Sequence, residues 1–522
     1  MTPRRRPPLA PALLALAVLA ALPRDAAALP AEFLPVRSPL YEEIEALAAR
    51  GLLDSLPLYT RPLARTDVAR ALWRARRLHA ELPRDPQYRR LERELARELR
   101  DLDAPRDSRE TGPLVDTGAG DLRLRLQAAA HGRGDYDEDR AAAHFRARDE
   151  SALTARGAVQ LGGAFGAYEE IGITRIRGER AYIDAIAAHS DIEMAVLRAE
   201  LTARTGPLTA SAGYESFRWG PGRRGTLLLS DAAGPMTFLA LQGGFGRLTA
   251  TALTGVLSRA EGRYLAAHRL EFAPSARLSV GLSEAVRYRA QGIDLLYAAG
   301  LLPYAIVERI QIRDASSDSV RGRERANIML SADAVCRPRP SLSLYGELLV
   351  DDFSTESASL PDRFGFQLGL RSERPLGPRR ARFVAEYTRV RNFTYSVDYG
   401  QDFIYRGRPL GYVLGPDVEN VWLEWVLDLS PAWQLRSSGD FINHGEGRLG
   451  IPWIETQGAV SNAGLSGVVE RRREVWGDAR WMPRDNVDLG AGVGFRRVRN
   501  EGNAPGATRT TWLMRAALDV RY

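Results

Sequence analysis

The last eleven residues, Trp512-Leu513-Met514-Arg515-Ala516-Ala517-Leu518-Asp519-Val520-Arg521-Tyr522, decide the fold. Side chains alternate between the two faces of an extended chain. Trp512, Met514, Ala516, Leu518, Val520 and Tyr522 therefore share one face, and Leu513, Arg515, Ala517, Asp519 and Arg521 share the other. One face is wholly apolar and the other mostly charged. An apolar strand ending on an aromatic residue resembles the closing strand that the outer-membrane assembly machinery recognises. A soluble sandwich would need a polar face and a core face, but not that aromatic terminus.

The same alternation recurs upstream. Val421, Leu423, Trp425, Leu427 and Leu429 oppose Trp422, Glu424, Val426 and Asp428. Leu342, Leu344, Gly346, Leu348 and Val350 oppose Ser343, Tyr345, Glu347, Leu349 and Asp351; Val487 to Phe495 and Phe366 to Leu370 behave alike. Hydrocarbon offers no partners to backbone N–H and C=O groups, so strands in a membrane must close on themselves. Outward side chains then meet lipid and inward ones meet water or a plug. At ~22–25 residues per strand with its connection, the region from about 120 onward predicts a transmembrane antiparallel β-barrel of ~16–18 strands. Composition conceals this: 45% hydrophobic and 26% charged residues are ordinary globular values. Beyond the first thirty residues no apolar run approaches the ~20 residues of a spanning helix, which excludes a helical membrane bundle.

The other end of the chain reads as an export signal. Arg4, Arg5 and Arg6 precede an apolar stretch from Leu9 to Leu22, and Ala26-Ala27-Ala28 supplies small residues for cleavage after Ala28. A helical segment follows. Ser38-Pro39 opens a helix carrying Tyr41, Ile44, Leu47 and Ala48 on one face, with Gly51 as its stop. Thr66-Asp67 opens a second with Val68, Ala71, Leu72, Ala75 and Leu78, and a third carries Tyr88, Leu91, Leu95, Leu99 and Leu102. So small a bundle is marginal alone and is expected to lean on the barrel. The chain thus divides into a signal peptide over 1–28, a periplasmic helical bundle over 29–112 and an outer-membrane barrel over 113–522. Leu47 to Arg70 also resembles a single surface-layer-homology repeat, which would make the bundle a cell-wall binder.

All 72 basic residues are Arg, and the formal charge is +7. Codon bias explains this, and so does recognition of an acidic polymer, because guanidinium holds carboxylate in a two-pronged geometry. Acidic residues are mixed in throughout, so no nucleic-acid-binding stripe exists. One cysteine, Cys336, permits no internal disulfide. His79, His131, His144, His189, His268 and His444 lie at no metal-ligand spacing, and no cofactor is expected. Gly281-Leu282-Ser283-Glu284-Ala285 approaches a nucleophile elbow, but it continues as alternating strand residues where that motif needs a sharp turn into a helix. Gly490 to Gly494 fits no nucleotide loop and reads as small inward positions or places where the sheet bends. No catalytic residue is assigned.

Trp219-Gly220-Pro221-Gly222-Arg223-Arg224-Gly225 reads as a tight connection, followed by Leu227-Leu228-Leu229-Ser230-Asp231 and Gly234-Pro235-Met236. Tyr214 to Met236 resembles the central motif of Wzi-type capsule assembly proteins. Ala267-His268-Arg269-Leu270, Gly281 to Glu284, Tyr345 to Phe353, Glu386 to Val390 and Pro409 to Asp417 are similar to the family's further blocks, in order. The likeness fades over about 112–155 and 430–500. It implies an outer-membrane barrel over a periplasmic bundle that holds capsular or related polysaccharide at the cell surface without catalysis.

Candidate ligand residues, aromatic or basic and in inferred connections, are Trp219, Arg223, Arg224, Tyr395 and Tyr405. Asp351, Asp352, Glu386 and Arg389 are expected to form an internal charge network. Expected partners are surface polysaccharide, outer-membrane lipid and, through the strand ending in Tyr522, the barrel-assembly machinery. The competing reading is a porin-like channel with a cell-wall-binding N-terminal domain.

Overall fold

The computed structural model describes residues 32–53, 56–102, 115–119, 122–137, 148–161, 164–177, 192–314, 326–352, 361–376, 379–457, 463–484 and 486–521. The leader with its cleavage point, the boundary at 112–113 and Tyr522 lie outside the described residues.

Eighteen antiparallel strands close into a barrel, the upper end of the expected range. In chain order they are β1 (Leu122–Asp137), β2 (Arg148–Leu161), β3 (Phe165–Arg177), β4 (Ile192–Thr205), β5 (Leu208–Glu215), β6 (Met236–Phe245), β7 (Leu248–Ser258), β8 (Arg263–Ser275) and β9 (Leu278–Arg289). Then come β10 (Asn327–Arg339), β11 (Leu342–Asp352), β12 (Arg363–Leu376), β13 (Arg379–Val390), β14 (Val418–Ser430), β15 (Trp433–His444), β16 (Glu470–Arg484), β17 (Val487–Arg499) and β18 (Thr508–Arg521). Each pairs with its sequence neighbour. β18 closes on β1, with Leu513 opposite Asp137 and Arg521 opposite Ala129. A short strand, Val115–Ala119, continues that edge beside the start of β1.

The alternation read from sequence is the alternation found. Trp512, Met514 and Leu518 are exposed on the outer wall, whereas Leu513 is buried. Leu344 and Leu348 face out, and Tyr345, Glu347 and Leu349 are buried inside. The stacked Trp433–Trp481 pair and the edge-to-face Phe495–Trp512 pair mark the two rims of the apolar wall. Trp476 lies across Gly494, where an added Cβ would sit 2.6 Å from its ring, so the glycines of β17 are small inward positions.

Connections at one end are two residues long, as at 206–207, 246–247, 276–277, 340–341 and 431–432; at the other end they are long, as at 216–235, 290–326, 391–417 and 445–469. The helical segment caps the short-turn end. Its helices are α1 (Leu40–Ala49), α2 (Arg65–Leu78), α3 (Pro86–Glu94) and α4 (Ala96–Asp101). The single third helix expected from sequence breaks at Leu95, whose backbone leaves helical geometry (φ −110°, ψ 17°). Leu34, Tyr41, Ile44, Leu47, Val68, Leu72, Leu91 and Leu99 form its core, which is continuous with Val335 and Tyr345 of the barrel wall. Leu78, placed on the apolar face by periodicity, is 76% exposed at the helix end. Ion pairs also join bundle to barrel: Asp85 receives Arg380 at 2.6 Å, Asp67 receives Arg204 at 2.8 Å, and Arg521 pairs with Glu94.

One element has no counterpart in the sequence reading. Between β9 and β10 the chain forms α5 (Leu295–Ala299) and α6 (Tyr304–Asp314), which fold back down the outside of the barrel. Gly300 (φ +59°) turns the hairpin, and an added Cβ there would meet Ala252 Cβ at 2.9 Å. Tyr297, Tyr304 and Val307 pack on outward-facing Tyr264, Ala266, Val286 and Tyr288. Tyr304 N–H donates to Glu284, which pairs with His268 at 3.1 Å, so the hairpin covers a polar spot in the wall. Leu295, Leu296, Leu301, Leu302 and Ile306 are left exposed, extending the apolar wall.

Candidate functional site

The long connections do not simply span neighbouring strands. Segment 216–235 carries Gly and Pro at close intervals and three consecutive leucines, and it folds into the lumen. Leu227, Leu228 and Leu229 become fully buried there, packed with Phe217, Trp219, Tyr395, Phe403, Leu410 and Tyr412. The 391–417 segment supplies the last four of these. Tyr395 stitches the two together: its hydroxyl donates to Leu227 O at 2.6 Å and accepts from Tyr412 N at 3.1 Å.

Wall carboxylates hold this plug by its backbone. Glu347 accepts from Leu227 N (2.9 Å) and Leu228 N (3.3 Å). Glu386 accepts from Arg223 N (2.5 Å), Arg224 N (2.9 Å) and the Tyr345 hydroxyl (2.8 Å). Asp351 accepts from Tyr395 N at 2.6 Å. Gln367 donates to Gly225 O at 3.1 Å. A buried peptide N–H must find an acceptor, and a carboxylate with several lone pairs can serve two or three.

From below, the N-terminal segment reaches up to meet the plug. Thr60 pairs with Trp219 and Arg61 with Arg218 as a two-residue antiparallel ladder. Thr60 Oγ1 also donates to Glu271 at 2.6 Å, and Arg269 is held by Asp333 at 2.5 Å. Glu42 of α1 lies among Arg223, Arg382 and Arg436; Glu45 lies between Arg61 and Arg371. Burial would raise both carboxyls, but the surrounding guanidiniums prevail, leaving Glu42 well below its ordinary range and Glu45 at about 2. Asp85 is lowered for the same reason, by Arg380 and Arg50 against its burial. Bundle, plug and wall are therefore locked together, and the plug packs on the inner face of β6 to β15.

This geometry places the residues singled out from sequence. Trp219 and Tyr395 are fully enclosed and present no ring face to the outside. Arg223 is committed to Glu42 and to Glu424 at 3.4 Å, and Arg224 to Asp440 at 3.1 Å. Tyr405 is buried near the surface beneath Arg406, whose guanidinium lies 4.7 Å from its ring centre. Of the residues expected to share a charge network, Glu386 and Arg389 lie on opposite faces of β13. Glu386 and Asp351 each hold plug backbone. Arg389 is on the outward face of β13, where alternation turns it away from Glu386, and it donates to Gly464 O at 2.7 Å. Asp352 ends β11 opposite Arg363. Ser283 is a mid-strand inward residue accepting from Arg269 at 2.9 Å, not the tip of an elbow. Among the described residues no group of three or more His, Cys, Asp or Glu could hold a metal.

What remains open to solvent is the long-loop face. Arg406 is exposed, takes a left-handed backbone (φ +52°), and donates to the Tyr214 hydroxyl at 3.1 Å. The surrounding loops are tied down. Buried Asp417 accepts from Gly447 N at 3.0 Å and Ser466 N at 3.2 Å, and Asn503 donates to His444 O, Gly445 O and Val468 O. Sequence reasoning passed over Tyr214 and Arg406; Arg406-Gly407 between two short runs was the available turn signal.

The family model of the capsule assembly protein Wzi matches residues 127–513. The chain belongs to the Wzi capsule assembly family. Among solved structures, Escherichia coli Wzi superposes with a TM-score of 0.63 at 16% identity, covering 94% of this chain and 100% of that one. That protein is described as an outer-membrane, carbohydrate-binding β-barrel involved in group 1 capsule assembly. OprD of Pseudomonas aeruginosa gives 0.44 at 12% identity, over 76% of this chain and 95% of that chain. No curated protein matches the chain in sequence. Membership of the Wzi family and the plug packed inside the barrel both disfavour the porin reading.

Proposed function

We propose that this member of the Wzi family holds or helps assemble an acidic polysaccharide at the cell surface, binding it on the long-loop face around Tyr214, Tyr405 and Arg406. The observation that carries this is the plug: the lumen beside β6 to β15 is packed with the protein's own loops, which favours the solvent-facing loops as the place where a polymer acts. Outer-membrane barrels carry long loops at the extracellular end and short turns at the periplasmic end, and the helical bundle at the short-turn end supports a periplasmic position for it. An exposed guanidinium beside aromatic rings suits acidic sugars, since it pairs with carboxylate while the rings take up sugar faces. The tying of these loops to Asp417 and Asn503 lowers the ordering cost of binding. In this reading β18 is what the assembly machinery engages and the outer wall meets lipid. On the same reading the protein binds its polymer without transforming it.

The test is polysaccharide retention by cells carrying Tyr405→Ala with Arg406→Ala in place of the native protein. Retention should fall while barrel assembly, read as a heat-dependent gel shift, is unchanged. Full retention by a correctly assembled double variant would remove this face from the function.

A further inference from the structure

On the outer wall, β16 and β17 set four arginines in two facing pairs. Arg471 is opposite Arg499, and Arg473 is opposite Arg497. All four lie on the outward face, because they keep the parity of exposed Val475 and Val493. Like charges directly opposite on neighbouring strands repel. Among the described residues none of the four is ion-paired with a carboxylate; Arg473 instead donates to Ile442 O, Arg472 O and the Asn443 amide oxygen. The rows continue sideways into Thr510 and Thr508 of β18 and Phe441 and Asn443 of β15, and the first carboxylate along them is Glu419 of β14, which accepts from Asn443 and faces Arg389 rather than the quartet. An unneutralised guanidinium quartet implies an anion from outside the chain.

Height says which anion. Along β17 the apolar outward positions run from Val487 to Phe495. At ~2.5 Å of height per residue of a tilted strand this is about 20 Å, near the depth of the apolar band of such barrels. Phe495 and Trp512 form the aromatic rim. Arg497 and Arg473 lie one outward position above it, and Arg499 and Arg471 two. That level, at the long-loop end, belongs to lipid headgroups. Guanidinium is matched to phosphate in charge and in two-pronged geometry.

We infer that Arg471, Arg473, Arg497 and Arg499 form a binding site for the phosphates of a phosphorylated glycolipid in the outer leaflet. The site fixes one flank of the barrel to its lipid and is separate from the polysaccharide face, though it rests on the orientation given above.

The test is native mass spectrometry of the full-length protein released from detergent, with three probes: bis-phosphorylated lipid A, dephosphorylated lipid A and inorganic pyrophosphate. The wild type should retain bis-phosphorylated lipid A and bind the dephosphorylated form about tenfold or more weakly, as loss of paired guanidinium–phosphate contacts requires. The variant Arg471→Gln/Arg473→Gln/Arg497→Gln/Arg499→Gln should lose the preference. Arg497→Gln/Arg499→Gln should lose part of it, and serves if the fourfold variant fails the heat-shift assay of assembly. Equal binding of the two lipid A forms, or undiminished preference in an assembled variant, overturns the site. Pyrophosphate bound as well as lipid A overturns the assignment to lipid. None of these readouts depends on polysaccharide, so failure here leaves the surface-binding reading to its own test.

Discussion

Replacing Glu386 with alanine should unseat the plug. The carboxylate serves three buried donors, Arg223 N, Arg224 N and the Tyr345 hydroxyl. A buried donor left without a partner costs about 1–3 kcal/mol, so three orphaned donors cost about 3–9 kcal/mol if no water replaces the carboxylate. Water entry would lower this toward the bottom of the range, but only by opening the lumen, which is itself detectable. The assay is single-channel recording in planar bilayers beside thermal unfolding. The native barrel should be silent. Glu386→Ala should open intermittently and unfold at lower temperature, while Glu386→Gln, whose amide oxygen still accepts, should lie between. A Glu386→Ala barrel as silent and as stable as the native one would refute the claim that wall carboxylates hold the plug.

Four further outcomes follow from the same geometry. Glu42, Glu45 and Asp85 have lowered folded values, so they stabilise the bundle–barrel contact above their unfolded values near 4 and lose that contribution as pH falls, for Glu45 toward about 2. Protease release of the 32–102 segment should therefore rise between pH 5 and about 2–3, and a flat profile would contradict the ion-pair clamp. Leu282→Arg, on the outer wall, should cost about 2–4 kcal/mol in refolding into bilayers, whereas Ser283→Ala next door costs less. Gly300→Val combines a left-handed backbone with a clash against Ala252 and should undock the outer hairpin, giving new cleavage within 290–314 at a cost of about 1–3 kcal/mol. Asp417→Ala should loosen the 445–469 loop, read as faster hydrogen exchange there with the barrel strands unaffected.

The wall was legible because its signal is local. Leu344, Leu348, Tyr345 and Glu347 announce their faces through a period of two, and lipid on one side makes that period strict. The plug was not, because the acceptors that draw Leu227 and Arg223 inward are Glu347 and Glu386, 120 and 163 positions away. Viewed alone, Trp219 to Met236 is turn chemistry, and Trp219 looks available for a ligand. Arg389 was grouped with Glu386 by proximity in sequence, although an odd spacing puts them on opposite faces. The outer hairpin did carry local signals, Asp294 as a cap, Gly300 as a stop and Pro303 as a restart; its amphipathic packing was obscured because both of its sides are apolar, one toward the wall and one away.

Lipid outside this wall, with packed protein and not water on the inner face of β11, is the arrangement on which the rest depends. It is tested most directly by a nitroxide scan of β11 in liposomes, on a Cys336→Ser background, placing one cysteine at a time from Leu342 to Val350. Even-numbered positions should be reached by oxygen dissolved in hydrocarbon and not by an aqueous nickel reagent, and odd-numbered positions, from Ser343 to Leu349, by neither. Nickel access at the odd positions would mean an open aqueous pore, and nickel access at the even positions would mean that no bilayer surrounds the barrel.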